Sequence, residues 1–343
     1  MQGARPHGVG RLVNAAKRLS SSLTWAIPLS MVAGLAVGAL INLSGLRVLV
    51  MPLTMLMVYP MLVNVKLRAA VGLEGARVVG VAMLLNFVAF PLIAWLLART
   101  FFGNEPGLFV GMVLAGLFPT SGMTISWTGF AKGNVAAAIK MTVIGLIAAS
   151  LLAPVYLKLF AGKIVPVDLL GVLTTVVLVV AVPLAAAQLT RVVLSRHYGP
   201  ERFSRSIAPV FPGISVLGVL GIVFLAVGLK APMIIGQPGL LLTIAVPLLL
   251  FYAVNFALST FVGRALFGRG DAIALVYGTV MRNLSIALGI AITSFGPEAA
   301  LVLAAGYVVQ VQAAAWYVRL TDRVFGPVQE EGEKPPAPGV VGA

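Results

Sequence analysis

Two polar stretches interrupt apolar segments of this chain, and their residue types are suited to binding a ligand. The first, at 117–134, reads LFPTSGMTISWTGFAKGN and contains Pro119 and five hydroxyl side chains, of which Thr120, Ser121 and Thr124 are nearest to the proline. Proline removes a backbone donor and clashes with the preceding turn, so we expect the helix to break or unwind there. Inside a bilayer, freed backbone groups persist only where protein or a water-lined cavity surrounds them. The stretch therefore predicts a binding site, or else a proline kink with its hydroxyls bonded back to the helix.

The second polar stretch, VYGTVMRNLSIALGIA at 276–291, contains Arg282, Asn283 and Ser285. An arginine deep in a membrane span costs roughly 3 kcal/mol on insertion scales and normally has a partner. All ten Asp and Glu residues fall in loops, at span ends or in the carboxyl-terminal tail, so no carboxylate is predicted beside it. Two roles stay open for Arg282: contact with an anionic substrate or a coupling function, which we favour, or donation to carbonyls of the broken helix at 117–134.

Composition places these stretches in a membrane protein. Hydrophobic residues make up 60% of the 343 residues and charged residues only 10%, with a mean hydropathy of +1.04, which excludes a soluble domain. The predicted fold class is an all-α polytopic membrane protein. Ten apolar runs are long enough to span the bilayer: 23–43, 47–64, 77–98, 107–129, 135–157, 168–190, 208–229, 239–262, 272–295 and 299–318. A basic leader at 1–22 precedes them, and a tail at 324–343 is predicted to be disordered.

The distribution of positive charge predicts an orientation. Most of the 24 lysine and arginine residues fall in the leader, the tail and the loops that share a side with them. By the positive-inside rule both termini are then cytoplasmic and the protein lies in the plasma membrane. This distribution accounts for the net charge of +14 without a nucleic-acid partner.

A short sequence echo relates the two halves of the chain. Arg99-Thr-Phe-Phe-Gly103 recurs 165 residues later as Arg264-Ala-Leu-Phe-Gly268. The same offset carries Pro119 into the second polar stretch. Each half, 23–160 and 168–320, then holds five spans, and an odd number forces the second repeat to be inverted. Inverted repeats with broken helices at matching positions are the layout of secondary transporters, so we expect helices 4 and 9 to cross near the midplane.

The inventory of reactive side chains excludes most enzyme classes. The chain has no cysteine, both histidines (His7 and His197) lie in polar segments, and no metal-ligand cluster, serine-histidine-acid set or nucleotide loop is present. We predict no enzymatic activity, no metal and no cofactor. Lys140, with Thr142 beside it, is the candidate for proton coupling, because a buried lysine can lose its charge near neutral pH. The alternative is that Lys140 extends its side chain to the membrane surface.

Several segments resemble the arsenical-resistance (arsenite efflux) branch of the bile acid/sodium symporter superfamily. They are MLMVYPMLVNVKLR (55–68), LLNFVAFPLIAWLLA (84–98), PTSGMTISWTGFAKGN (119–134), VAVPLAAAQLTR (180–191) and IAVPLLLFYAVNFALSTFVGRALFG (244–268). The resemblance covers nearly all the spans in order. It implies a ten-span fold with a core and a panel domain, in which the fourth and ninth spans are discontinuous and cross.

The departures from that branch bear on substrate and coupling. Where arsenite carriers have a cysteine after the proline of span 4, this chain has Thr120. Where their span 9 has an asparagine pair and a glutamate two residues later, this chain has Arg282, Asn283 and Ser285. Gly145 and Leu146 replace an asparagine-aspartate pair of span 5. The resemblance thus implies the fold, while the lost thiol disfavours arsenite. The lost carboxylate disfavours cation coupling and makes Arg282 a candidate stand-in for sodium.

The predicted function is that of a secondary transporter that moves a small anion, oxyanion or organic acid through the bilayer by alternating access. The candidate substrate- or ion-binding residues are Pro119, Thr120, Ser121, Thr124, Arg282, Asn283 and Ser285. Coupling to a proton gradient through Lys140 and Thr142 stays open, and sodium dependence is expected to be weak or absent. The alternatives are an arsenite or antimonite efflux permease that lacks the cysteine, and a passive channel or facilitator.

Overall fold

The computed structural model describes residues 23–67, 75–165, 168–237 and 239–327. Within those ranges the chain consists of helices and turns without a strand, which confirms the all-α prediction. The predicted leader and residues 328–343 of the predicted tail lie outside the described residues. The last helix continues to Phe325, so it enters the region predicted to be tail.

The helices follow one another through short connections. In chain order they are α1 Leu23–Leu40, α2 Val50–Val63, α3 Ala76–Phe101, α4a Pro106–Leu117, α4b Gly122–Phe130, α5 Val135–Ala161, α6 Leu170–Tyr198, α7 Pro200–Leu229, α8 Gly239–Leu266, α9a Arg269–Val280, α9b Leu284–Ile290 and α10 Pro297–Phe325. A 3₁₀ turn at Ser44–Leu49 precedes α2, and a short helix at Ala231–Gly236 precedes α8.

Length and hydropathy mark most of these helices as membrane spans. In the described ranges, eight are long and apolar enough to cross a bilayer, counting Arg269–Phe295 as one. The pair α4a and α4b, bent by 57°, makes a ninth if it forms a single span, and the apolar part of α1, Trp25–Leu40, is shorter. The chain is therefore a multi-pass membrane protein. The count of ten spans and the inverted repeats stay predictions.

Two prolines inside long helices follow a local widening of the helix. A π-helical turn at Leu85–Ala89 precedes Pro91 in α3, and another at Val177–Ala181 precedes Pro183 in α6. Proline has no backbone N–H and its ring clashes with the preceding turn, so the helix relaxes by taking in an extra residue. The first of these turns contains Asn86, which reaches the site described below.

The helices pack as two groups. One consists of α1, α2, α6 and α7, and the other of α3, α4a, α4b, α5, α8, α9a, α9b and α10. In the first group, Gly34 and Gly38 of α1 lie against the backbone of Phe224 and Gly228 in α7. Side chains at these two glycines would overlap that backbone, so the small residues set the close approach of the two helices.

The two groups meet mainly through α9b and α10. Helix α9b packs against α2, α6 and α7, and a side-chain carbon at Gly289 would lie 2.7 Å from Thr54 and 3.1 Å from Val179. Helix α4b, by contrast, packs against α5, α9a and α10 of its own group. Among the described residues, the main contacts of α9b thus include the first group, whereas the main contacts of α4b are within the second group.

Candidate substrate and ion site

The first helix break lies between Leu117, where α4a ends, and Gly122, where α4b begins. Thr120 sits in this break with a φ of 55°, a left-handed conformation that is unfavourable for a β-branched residue. Its hydroxyl oxygen lies 2.8 Å from the carbonyl of Pro119 and 3.3 Å from that of Met141 in α5. The proline breaks the helix, and the threonine hydroxyl fixes the strained turn against α5.

The second break lies between Val280, where α9a ends, and Leu284, where α9b begins. Gln310 of α10 holds it from the side. The backbone N–H of Arg282 donates to Gln310 Oε1 at 2.8 Å, and Gln310 Nε2 donates to the Arg282 carbonyl at 3.2 Å. Asn283 Oδ1 accepts from the backbone N–H of Ile286 at 3.3 Å and so caps α9b. This break has its backbone groups paired within the protein.

The two breaks are joined directly. The backbone N–H of Asn283 donates to the carbonyl of Phe118 at 2.8 Å. The hydroxyl of Thr124 accepts from the N–H of Ser121 at 3.1 Å and lies 3.4 Å from the carbonyl of Met281. Candidate residues that are far apart in the sequence therefore meet at one point of the fold.

The guanidinium of Arg282 is enclosed by oxygen atoms, and the residue is fully buried. Its donors reach three backbone carbonyls and one side-chain amide oxygen: Ala115 O at 3.2 Å, Gly116 O, Thr279 O at 3.1 Å and Asn86 Oδ1 at 2.6 Å. Its Cζ also lies 5.9 Å from the ring centroid of Phe90. Four of the five N–H groups of the guanidinium are thereby used within the protein.

Electrostatics explains why a cation is stable in this position. Ala115 and Gly116 are in the last turn of α4a, and Thr279 is in the last turn of α9a. The carboxyl end of a helix carries partial negative charge because its last carbonyls have no partner in the helix. Arg282 thus neutralises the carboxyl ends of two helices at once. These contacts are the ones expected if Arg282 holds the crossing together.

Ser121 stands apart from the other hydroxyl residues of the site. It is 4% exposed, and its Oγ faces the backbone N–H of Thr124 in a capping-box arrangement, yet makes no hydrogen bond of normal geometry to the described residues. It is the residue before α4b, and the next residue, Gly122, has open space where a side chain would begin. The amino end of a helix carries partial positive charge and N–H groups that point outward. The start of α4b therefore offers hydrogen-bonding capacity that the protein itself does not use.

The remaining candidates are held by their neighbours. Ser285 Oγ is hydrogen-bonded to the hydroxyl of Tyr307 in α10. Thr142 donates to the carbonyl of Ala138 in its own helix at 2.8 Å. Lys140 is buried, with 8% of its surface exposed, near the amino end of α5. In the described ranges no three His, Asp or Glu side chains lie close enough to bind a metal ion.

Some partners of Arg282 were not foreseen from the sequence. The sequence predicted carbonyls or a substrate as partners, but not the side chains that contact Arg282, which are the amides of Asn86 and Gln310 and the ring of Phe90. Two signals point to this arrangement: an asparagine five residues before a proline in α3, and a glutamine in the middle of α10. A buried amide in a span needs a polar partner as much as an arginine does.

Comparison with known proteins gives a family and several relatives. The model of the sodium bile acid symporter family matches residues 51–237, just over half of the chain. The arsenical-resistance protein Acr3 of Alkaliphilus metalliredigens is 25% identical over 288 residues, covering 78% of this chain and 79% of the relative. Acr3 of Corynebacterium glutamicum is 22% identical over 263 residues, covering 73% and 71%. The probable sodium/metabolite cotransporter BASS2, chloroplastic, of Oryza sativa subsp. japonica is 29% identical over 186 residues, covering 54% and 42%.

Proposed function

This chain belongs to the sodium bile acid symporter family and is a secondary transporter of the bile acid symporter and arsenite efflux type, and we propose that it carries a small anion, oxyanion or organic acid without binding sodium. The observation that carries the proposal is the set of four oxygen atoms around Arg282. In secondary transporters with broken helices, unwound carbonyls and helix carboxyl ends coordinate the coupling cation. Here a covalently attached cation is bound by groups of that kind.

A permanent cation changes what the site can carry. Oxygen atoms are the ligands that a hard metal cation requires, and each of these four already accepts a hydrogen bond from Arg282. Adding sodium would place two positive charges together in a medium of low dielectric constant, which is unfavourable. Among the described residues no carboxylate contacts Arg282, so its formal positive charge is balanced only by the partial charges of carbonyls and an amide, which favours an anion nearby.

We place the anion at the amino end of α4b. The Ser121 hydroxyl and the N–H groups that begin this helix supply donors, and the helix dipole adds partial positive charge. Arg282 acts on the substrate through its field, across the break that it stabilises. Direct contact between Arg282 and substrate stays a prediction: one guanidinium N–H remains for it, and a bidentate contact would require that at least one of the present hydrogen bonds open. Pro119, Thr120, Thr124, Asn283 and Ser285 then shape the site and hold the two breaks together.

Alternating access has a structural basis in the unequal packing of the two helix breaks. Helix α9b contacts the first helix group, whereas α4b contacts its own group, which supports a state that is closed beside α9b. The end of the protein at which α4b terminates carries four basic residues: Lys132, Arg264, Arg269 and Arg323. By the positive-inside rule this end is cytoplasmic, with both termini, in a protein of the plasma membrane. We propose that the substrate enters beside α4b from this side.

A second candidate function is efflux of arsenite or antimonite, because two relatives are named arsenical-resistance proteins. In this chain the residue after the proline is Thr120, and its hydroxyl is bonded to two carbonyls. A threonine hydroxyl is a hard ligand, whereas soft metals and metalloids prefer thiolate. The hydroxyl would have to leave its present partners to bind the metalloid. The anion proposal requires no such rearrangement.

The experiment is a substrate screen on the purified protein followed by transport in proteoliposomes. Small mono- and dicarboxylates, phosphate, sulfate, arsenite and antimonite are compared for thermal stabilisation, since a ligand that binds only the folded state raises its stability. We expect a carboxylate or oxyanion to stabilise the protein equally in sodium and in choline buffer. Trans-stimulated exchange of the same compound identifies a carrier. Stabilisation by arsenite alone, uptake that requires a sodium gradient, or flux without trans-stimulation would contradict the proposal.

A further inference from the structure

The two arginines of the sequence echo have different surroundings. In the first half, Arg99 lies at the end of α3 with its Cζ 5.5 Å from the ring centroid of Trp95. Trp95 in turn packs on Phe160 of α5, with ring centroids 6.0 Å apart. The indole thus fills the surface between α3 and α5, and the arginine covers the indole.

In the second half the residue that corresponds to Trp95, 165 positions later, is Thr260 of α8. The hydroxyl of Thr260 is hydrogen-bonded to that of Tyr317 in α10 at 2.5 Å. The short threonine side chain is therefore held between α8 and α10 and does not occupy the volume that an indole would. A groove of about 590 Å³ occupies this position, with Phe256 and Phe261 among the residues that line it and Arg264 at its edge. The loss of one large side chain accounts for the groove.

Arg264 differs from Arg99 in that no aromatic ring of its own helix lies beneath its guanidinium, among the described residues. It is exposed, and within the described residues it makes no ion pair, hydrogen bond or ring contact. It lies in the last turn of α8, where the chain leaves the apolar part of the helix. Arg269 nearby is already paired with Asp322. An uncompensated cation at this depth is at the level of lipid headgroups, and basic pockets between membrane helices bind acidic lipids.

We propose that this groove binds one anionic phospholipid, with its phosphate at Arg264 and an acyl chain between α8 and α10. The apolar side chain of Phe261 is 73% exposed, as expected for a surface that contacts lipid. A second copy related by two-fold symmetry is a poorer occupant, because the same patch would face itself and bring two copies of Arg264 into one interface. A phospholipid supplies both the negative charge and the apolar chain. The proposal is independent of the transported substrate.

The test measures lipid binding to the full-length protein after detergent delipidation. Phosphatidylglycerol and phosphatidylcholine with identical acyl chains are titrated, and bound lipid is counted by native mass spectrometry alongside the melting temperature. We expect wild type to retain one phosphatidylglycerol in preference to phosphatidylcholine. Arg264→Gln should weaken the phosphatidylglycerol affinity about fivefold, the amount associated with one basic residue at a membrane surface. Thr260→Trp, which restores the bulk present in the first half, should reduce binding of both lipids.

Arg99→Gln is the matched control, because it removes the corresponding arginine from a surface already filled by Trp95. Its lipid preference should equal that of wild type.

If Thr260→Trp fails to fold, Arg264→Gln and Arg264→Lys still test the proposal, since the lysine should keep the preference for phosphatidylglycerol. Equal binding of the two lipids by wild type, or an unchanged preference in Arg264→Gln, overturns the proposal. So does a stable dimer that dissociates on Thr260→Trp, or lipid affinity that rises when Glu330, Glu331 and Glu333 are changed to glutamine, which would mean that the tail occupies the groove.

Discussion

The two helix breaks of this transporter contain similar residues, yet they divide donors and acceptors unequally. The second break supplies donors, namely the Arg282 guanidinium and the Asn283 N–H, and the first break supplies the carbonyls of Gly116 and Phe118. In the opposite direction there is one contact, from the Thr124 hydroxyl, at 3.4 Å. The second break therefore holds the first through these donated hydrogen bonds, and we call this set of contacts the clamp. The clamp acts on the end of α4a, whereas the start of α4b keeps a hydroxyl without a partner, that of Ser121.

This asymmetry indicates where a substrate can bind without dismantling the fold. All seven residues of α9b are buried, and its amino end is capped by Asn283. The amino end of α4b has the unpartnered Ser121 hydroxyl and open space at Gly122. A site that binds and releases a ligand needs groups whose alternative partner is water, because breaking a buried hydrogen bond costs about 1–3 kcal/mol per unsatisfied group. The following predictions test this difference in order of the expected loss of stability.

The largest effect is expected for Arg282→Met. The substitution keeps much of the apolar volume but removes the donors to three carbonyls and to Asn86, all of them buried. We expect a loss of at least about 3 kcal/mol in the free energy of unfolding, since each buried acceptor left unpaired costs about 1–3 kcal/mol. Thermal unfolding in detergent measures it, with Arg99→Met as the control at a surface position. A variant with the wild-type melting temperature would show that the clamp does not stabilise the crossing.

Arg282→Glu should behave differently from the methionine variant. A carboxylate placed among four oxygens is repulsive unless a cation joins it, and together they form the type of ligand set that hard cations bind. We expect the melting temperature of this variant to rise when sodium chloride replaces choline chloride, by the linkage between binding and stability. Wild type should show no difference between the salts. Equal sodium dependence in the two proteins would contradict the view that Arg282 takes the place of a cation.

A smaller loss is expected for Gly145→Ala in α5. The added methyl carbon would lie 2.7 Å from Thr120 Oγ1, closer than van der Waals contact allows, so the strained turn at Thr120 must shift. Overpacking of this kind costs about 1–3 kcal/mol. Gly122→Ala is the matched control, because nothing lies within 4 Å of its added carbon. If both variants have the same melting temperature, the contact between Gly145 and Thr120 does not fix the first break.

The sequence predicted those features of the fold that depend on the properties of neighbouring residues alone. The hydropathy pattern predicted an all-α membrane protein because each apolar run is long enough to span, and Pro119 marked the position at which α4a ends because proline cannot continue a helix there. The resemblance supplied the family, which the match to residues 51–237 confirms.

The partners of Arg282 could not be predicted in the same way. They are mainly backbone carbonyls, which every residue possesses, so no residue type identifies them in a sequence. Asn86 and Gln310 reach the arginine only because α3 and α10 pack beside the crossing. The unused hydroxyl of Ser121 is likewise a property of the packing, because Thr120, its neighbour, has the same kind of group and has it bonded. Which hydroxyl is available to a ligand depends on the tertiary structure.

The smallest loss of stability, and the sharpest test of the comparison, is expected for Ser121→Ala. Ser121 is the N-cap residue of α4b, so removing its hydroxyl should lower the free energy of unfolding by about 1 kcal/mol at most, the typical contribution of an N-cap side chain. If that hydroxyl donates to an anionic substrate, its loss weakens binding by about tenfold or more, the effect of one hydrogen bond to a charged group. Thr124→Val is the matched comparison, because the Thr124 hydroxyl accepts from Ser121 N–H and lies 3.4 Å from the Met281 carbonyl. That variant should lose more stability, whereas Ser121→Ala should lose affinity in the ligand titration with only a small change in melting temperature. The reverse pattern, an unstable Ser121→Ala protein with normal uptake, would assign Ser121 to the clamp and leave the amino end of α4b without a role in binding.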